Sequence, residues 1–277
     1  MRNQVDAHII GLYITSRCTL NCKLCQSGIP YYQDPHHTET AKILETFKRL
    51  FPLYDRGDHA DLLGGEPLMH PDIDIIVAEL LQYRQFIPEF RIVTNGTIIP
   101  SDSLCRSIQK VLDGGARFLV VLDDYGSLSK NFDAAYEKFR SFEIPVRVDK
   151  YCGDKKDQLY GGWVKYGDYT PNHKTSQEIL TQWKGCVCQD GIYHEIWEGC
   201  IYPCPYSYAI SALGYNVMKQ DEFVDLFDGS SVEEQKLKLR KFNLAPNSAC
   251  HYCYSFSRNS PRYPAAEQAE RVVHDNI

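Results

Sequence analysis

Apolar positions in the first 150 residues switch repeatedly between a strand period and a helix period. His8–Thr15 (HIIGLYIT) is a short apolar run with β-branched residues and predicts a buried strand. Thr38–Leu50 reads as a helix, and His59–Leu63 as a short strand ending at a Gly-Gly-Glu-Pro turn. From Asp72, the residues Ile73, Ile76, Val77, Leu80 and Leu81 fall at i, i+3, i+4, i+7 and i+8, which is one helix face. Arg91–Thr94 predicts a strand closed by Asn95-Gly96. Ser101 or Asp102 is suited to cap the next helix, whose core face is Leu104, Ile108, Val111 and Leu112. Ala116–Asp124 is the most strand-like run. Phe132, Ala135, Tyr136 and Phe139 then stripe a helix, and Pro145–Tyr151 is a fifth strand.

Repeated β-then-α units of this length imply parallel strands with right-handed crossovers. Five units, with a weak sixth near Gly162–Lys165, are too few for a closed eight-fold barrel. The expected fold is therefore α/β, a partial, open (β/α)6 TIM-like barrel. Active sites of such folds lie at the C-terminal strand ends. A cysteine loop, Gly64–Pro67, Thr94-Asn95, Asp123-Asp124 and Tyr151-Cys152 all fall there.

The character changes after Cys152. Residues 153–185 are rich in Gly, Tyr, Asp and Lys and read as loop or linker. A compact cysteine-rich segment follows. It contains a hairpin (Tyr193–Ile196 with Ile201–Tyr202) and a helix opened by a Ser231/Glu234 capping box. The expected division is a barrel over 1–165, a linker over 166–185, a small C-terminal domain over 186–255 and a polar tail over 256–277 with Pro261 and Pro264.

Net charge is −6 with no dense Lys/Arg run, which argues against nucleic acid as a partner. The N-terminus lacks a signal-like apolar core, and no apolar stretch is long enough to span a bilayer, so a cytoplasmic, non-membrane chain is expected. In that setting the eleven cysteines point to metal binding or chemistry rather than disulfides. Three cluster at 18–25 and six lie between 186 and 253; Cys105 and Cys152 stand apart.

Cys18, Cys22 and Cys25 have C-x3-C-x2-C spacing directly after the first strand. Three thiolates on one loop can hold three irons of a 4Fe–4S cluster and leave the fourth iron open to a ligand. A zinc loop lacking one ligand is the plainer alternative. With Gly64-Gly65-Glu66-Pro67 about forty residues on, the pair of motifs resembles the radical S-adenosylmethionine (SAM) superfamily. The resemblance implies that the three cysteines hold the cluster and that SAM chelates its open iron. It implies that Gly64–Pro67 meets the methionine amino group through backbone carbonyls and Glu66. Thr94 and Asn95 match a position that often contacts SAM ribose or methionine, an ordinary strand-end turn being the plainer reading. Leu24 stands where the family usually has an aromatic residue beside the adenine. Reductive cleavage of SAM would yield a 5′-deoxyadenosyl radical that abstracts hydrogen from substrate, with the electron coming from an external reductant such as flavodoxin or ferredoxin.

The later cysteines are Cys186, Cys188, Cys200, Cys204, Cys250 and Cys253. Cys250-His-Tyr-Cys253 suits one metal centre, and Gly199–Cys204 resembles the auxiliary-cluster region of SPASM and twitch domains. Six cysteines fit a twitch-type domain with one 4Fe–4S cluster rather than a full SPASM domain. The resemblance assigns Cys186, Cys204, Cys250 and Cys253 as ligands, with spacing similar to that of a superfamily dehydrogenase acting on 2-deoxy-scyllo-inosamine. Cys188 or Cys200 could replace one of them, and a structural zinc site is the plainer reading.

Several functions are compatible with these residues. One is oxidation of a small sugar or cyclitol, with the auxiliary cluster taking an electron. Another is epimerisation with Cys152 returning hydrogen. A third is peptide maturation, with Tyr160, Trp163, Tyr166 and Tyr169 as a binding surface, and a fourth is a non-catalytic electron carrier or zinc module. Asp123, Asp124 and Arg147 could touch SAM or substrate, or form an internal ion pair. His36, His37, His70, His194 and His251 form no evident site. A small-molecule substrate and a monomer are expected.

Overall fold

The computed structural model describes residues 4–191 and 193–270. Its first half is β1 (Asp6–Tyr13), α1 (Thr40–Leu50), β2 (Arg56–Leu63), α2 (Ile73–Glu79), β3 (Glu89–Thr94), α3 (Asp102–Asp113), β4 (Arg117–Asp124), α4 (Phe132–Ser141) and β5 (Val146–Lys150). Neighbouring strands β1 to β5 pair in parallel. The Ser101 hydroxyl accepts from Leu104 N at 3.1 Å and starts α3 as its cap. The apolar stripes bury one face of the sheet: Ile10, Leu12, Ala60, Leu62, Phe90, Ile92, Val120 and Leu122 sit in one cluster with Phe47, Ile76, Ile108 and Phe139 from the helices.

The sixth parallel strand lies elsewhere than Gly162–Lys165, where Trp163 makes only an isolated bridge to Tyr263. It is β6 (Tyr193–Trp197), which docks in parallel on the free edge of β1. Glu198 (φ 50°) and Gly199 (φ 82°) then form a two-residue turn into β7 (Cys200–Tyr202). Two positive-φ residues give the turn whose twist matches the flanking strands. With β8 (Val224–Asp225), the order is β5-β4-β3-β2-β1-β6-β7-β8. The hairpin read from the sequence thus extends the barrel's own sheet. An uncovered β1 edge would expose unpaired backbone groups, and β6 covers it.

Among the described residues, three α-helices follow β5. α5 (Ser176–Lys184) falls in the segment read as linker; its Thr175/Glu178 capping box was an available signal. α6 (Pro205–Ala212) starts at Cys204, and α7 (Val232–Leu239) has the expected Ser231/Glu234 box. Among the described residues, no helix is long and apolar enough to cross a membrane.

On the sheet's other face, Gly11 of β1 stands in register with Asp61 of β2 and Glu195 of β6. A Cβ at Gly11 would lie 1.9 Å from Glu195 Oε2, so glycine makes room for that carboxyl. Burial pushes Asp61 up to about 7 and Glu195 up to about 8, the charge of Asp61 adding to the latter. Among the described residues, Glu195 Oε2 and Asp61 Oδ1 have no hydrogen-bond partner, although His59 Nε2 stands 3.6 Å from the latter. Between the ordinary carboxyl range and about pH 8, the folded chain holds protons that the unfolded chain has released, so this pair lowers stability as pH rises. Glu195→Gln removes the penalty. Its melting temperature relative to the parent should climb between pH 5.5 and pH 9 in thermal melts; a difference independent of pH would contradict the argument.

Candidate active site

The C-terminal ends of β1 to β5 open into one cavity of about 360 Å³. Cys18, Cys22, Cys25, Gly64, Gly65 and Leu24 line it on one side, with Thr94 and Asn95 beside them. The cysteine loop is held in position by β2. Gly65 N donates to Thr15 O at 2.9 Å and Glu66 N to Arg17 O at 2.8 Å. A Cβ on Gly64 would come within 2.6 Å of Thr15 O, and one on Gly65 within 2.2 Å of Arg17 O. The glycine pair therefore lets the β2 end pass directly against the start of the cysteine loop.

Glu66 lies at the junction of β2 and β3. It is fully buried, and its carboxylate accepts from Leu68 N (3.0 Å), Thr94 Oγ1 (2.8 Å) and Asn95 N (2.8 Å). It ties the end of β2 to the end of β3. Burial pushes it up to about 7 despite these donors. Asn95 reaches the other way: its Nδ2 donates to Thr19 Oγ1 at 3.1 Å and lies 3.6 Å from Cys18 Sγ.

The opposite side of the cavity is aromatic and acidic. Tyr125 and Tyr151 stack at 5.3 Å, with Trp163 edge-on to both. Tyr160, Tyr166 and Arg262 complete this side. Tyr169 instead stacks on Tyr206 and Tyr215 outside the cavity. Asp123 lines the cavity and accepts from the Tyr125 hydroxyl at 2.8 Å; burial pushes it up to about 8. Its neighbour Asp124 is spent locally, accepting from Gly126 N at 2.8 Å and from the Cys152 thiol at 3.3 Å. Arg147 is forked onto Asp149 at 2.8 and 2.9 Å, the internal ion pair of the two sequence readings. The structure brings Tyr151, not Cys152, to the cavity lining. Arg262 and Tyr125 were missed by sequence reasoning; Arg262 lies far from any strand end in sequence.

A second, small cavity of about 30 Å³ is lined by Cys186, Cys188, Cys204, Cys250 and Cys253, and Cys200 is not among them. Cys204 sits at the N-terminus of α6, where Ser207 N donates to its Sγ at 3.4 Å. Ser255 N donates to Cys253 Sγ at 3.2 Å. Backbone amides of Cys188 and Phe256 face Cys186, and that of Asn247 faces Cys250. Such donors stabilise thiolate over thiol. Cys188 instead meets the thiol of Cys186, and Cys200 the side chain of Tyr202. The first triad shows the same pattern: Leu20 N faces Cys18 at 3.4 Å, and backbone amides of residues 27–29 face Cys25. Among the described residues, no three His, Cys, Asp or Glu side chains close around a single ion. His194 is buried on Tyr54, 2.9 Å from its hydroxyl, and His70 Nδ1 accepts from Asp72 N at 3.2 Å, below α2.

Residues 12–123 match the model of the Radical SAM superfamily. GTP 3',8-cyclase of Nautilia profundicola is 34% identical over 88 residues, 31% of this chain and 27% of that protein. Molybdenum cofactor biosynthesis protein 1 of Bos taurus is 39% identical over 89 residues, 31% of this chain and 14% of that protein. The chain thus spans under a third of the curated relatives it matches. The crystal structure of BtrN in complex with AdoMet and 2-DOIA superposes with a TM-score of 0.56 at 15% identity, covering 93% of this chain and 97% of that one. Residues 12–123 thus carry a radical SAM domain. Such a domain implies an enzyme that uses SAM and a 4Fe–4S cluster.

Proposed function

We propose that this enzyme oxidises a small hydroxylated molecule, a sugar, cyclitol or related alcohol, using SAM and two 4Fe–4S clusters. The observation that carries the reading is the single cavity in which the Cys18-Cys22-Cys25 loop faces Asp123 and an aromatic wall. Its volume of about 360 Å³ is at the small end for ligand sites, and SAM must share it, which favours a small substrate. The likeness to BtrN, bound to 2-DOIA, agrees in fold with the cysteine-spacing resemblance.

Cys18, Cys22 and Cys25 would hold one cluster; Cys186, Cys204, Cys250 and Cys253, the thiols faced by amide donors, would hold the other. When bound, SAM and the first cluster supply hydrogen-atom abstraction, and the second cluster an electron acceptor, with a flavodoxin- or ferredoxin-type donor as external reductant. The chain's own part is positional and acid–base. Gly64 and Gly65 fix the cluster loop, Tyr125, Tyr151 and Trp163 offer faces to a sugar-like ring, and Asp123 takes the hydroxyl proton. Hydrogen return by Cys152 gains no support from the geometry, because its thiol is turned to Asp124.

Anaerobic reconstitution should give about eight irons per chain and 5′-deoxyadenosine from SAM plus dithionite. Cys18→Ala, Cys22→Ala or Cys25→Ala should stop SAM cleavage, whereas Cys204→Ala should keep it and lose about four irons. A substrate deuterated at the carbinol carbon should pass its label into 5′-deoxyadenosine and emerge as a ketone. Bound zinc without SAM cleavage, or recovery of an inverted alcohol, would overturn the reading.

A further inference from the structure

The C-terminal tail returns to the cysteine loop. Trp163 and Tyr263 form an antiparallel bridge, with hydrogen bonds of 2.9 and 2.8 Å, and Cys22 bridges to Gln268. Lys23 N donates to Glu267 O at 2.7 Å and Ala269 N to Asn21 O at 2.6 Å. Lys23 also pairs with the Glu267 carboxylate at 2.5 Å. Ala266 is buried, and so is Cys22. A stretch nearly 250 residues away in sequence thus forms a strand-like strap over the loop of the first cluster.

Gln268 is the side chain of this strap that reaches a thiol. Its Oε1 accepts from Asn21 N at 2.8 Å. Its Nε2 donates to Ala266 O at 2.7 Å and to Cys22 Sγ at 3.3 Å. Reversing the amide would set oxygen against the Ala266 carbonyl and nitrogen against the Asn21 amide, so the network fixes the N–H toward sulfur.

We propose that residues 263–269 are a built-in cover of the first cluster and that Gln268 is a positioning residue that sets its reduction potential through the N–H···S contact to Cys22. A donor to a ligating sulfur stabilises the more negative, reduced cluster, and cover by protein excludes water; both act on the potential. The inference rests on the reading that Cys18, Cys22 and Cys25 hold a cluster.

The test uses reconstituted full-length enzyme and EPR-monitored redox titration, following the cluster whose signal SAM perturbs. Gln268→Glu preserves shape and the acceptor to Asn21 but removes the donor to Cys22; Gln268→Leu removes both. Both variants should retain the parent's iron content, with the midpoint potential of that cluster shifted downward and that of the other cluster unchanged. Potentials equal to the parent in the two variants, or equal shifts of both clusters, would overturn the proposal. If a variant loses iron, the Lys23→Ala variant, which loosens the same strap without touching Gln268, serves as the control: matching iron loss there would assign Gln268 a purely structural part. Absence of any SAM-perturbed cluster in the parent would instead defeat the functional reading itself.

Discussion

Gly65→Ala is expected to remove the first cluster while leaving the second in place. The added Cβ would sit 2.2 Å from Arg17 O, 2.6 Å from Arg17 C and 2.7 Å from Cys18 Cβ. These are backbone and near-backbone atoms that have no alternative rotamer, so the β2 end and the cysteine loop must separate. The hydrogen bonds Gly65 N to Thr15 O and Glu66 N to Arg17 O would be strained first. Overpacking of this kind destabilises by about 1–3 kcal/mol, concentrated at the loop that carries Cys18. Iron should fall from about eight to about four per chain, with SAM cleavage lost. Gly185→Ala is the matched control, because its Cβ would meet only ordinary contacts at 3.7 and 4.0 Å at negative φ. Full iron content in Gly65→Ala would show that the close approach of the two segments is dispensable.

Asp123→Asn should lower product formation by about 10²–10⁴-fold, the usual contribution of a positioned base. The amide keeps the Tyr125 hydroxyl as its donor, so the wall of the cavity is preserved. SAM cleavage should persist, uncoupled from product. The sign of the pH dependence follows from the shift. Burial holds the Asp123 carboxyl up to about 8, so the proton-accepting form grows as pH rises through that value. The parent's product rate should therefore increase from pH 6.5 to pH 8.5, and the Asn variant's low rate should be flat. Chromatography of ketone against 5′-deoxyadenosine separates the two effects. Unchanged coupling in the variant would assign the proton to another group.

Much of this architecture was legible locally. Strand and helix periods placed five strands and the four helices between them within a few residues, because each element's burial pattern is written in its own side chains. The cysteine triplet and Gly64-Gly65-Glu66-Pro67 were legible for the same reason: a tight cysteine loop and a β2 end that abuts it need particular residues at fixed spacing. α5 was obscured because its Gly-, Tyr- and Lys-rich surroundings outweighed a four-residue capping signal. The sixth parallel strand was misplaced because periodicity marks a strand but not its neighbour. β6 pairs with β1 from nearly 200 residues away, and only the free edge of β1 selects it.

By itself the sequence determined the α/β class and the radical SAM motif of residues 12–123, since these rest on residue type and short-range spacing. The tertiary structure decided what those residues face. It turned Glu66 inward to bind two strand ends, Cys152 toward Asp124, and Asp123 into the cavity. It also laid the tail against Cys22. Each of these outcomes depends on which backbone segments lie within hydrogen-bonding distance after the chain has folded, a relation between distant residues that no local pattern encodes.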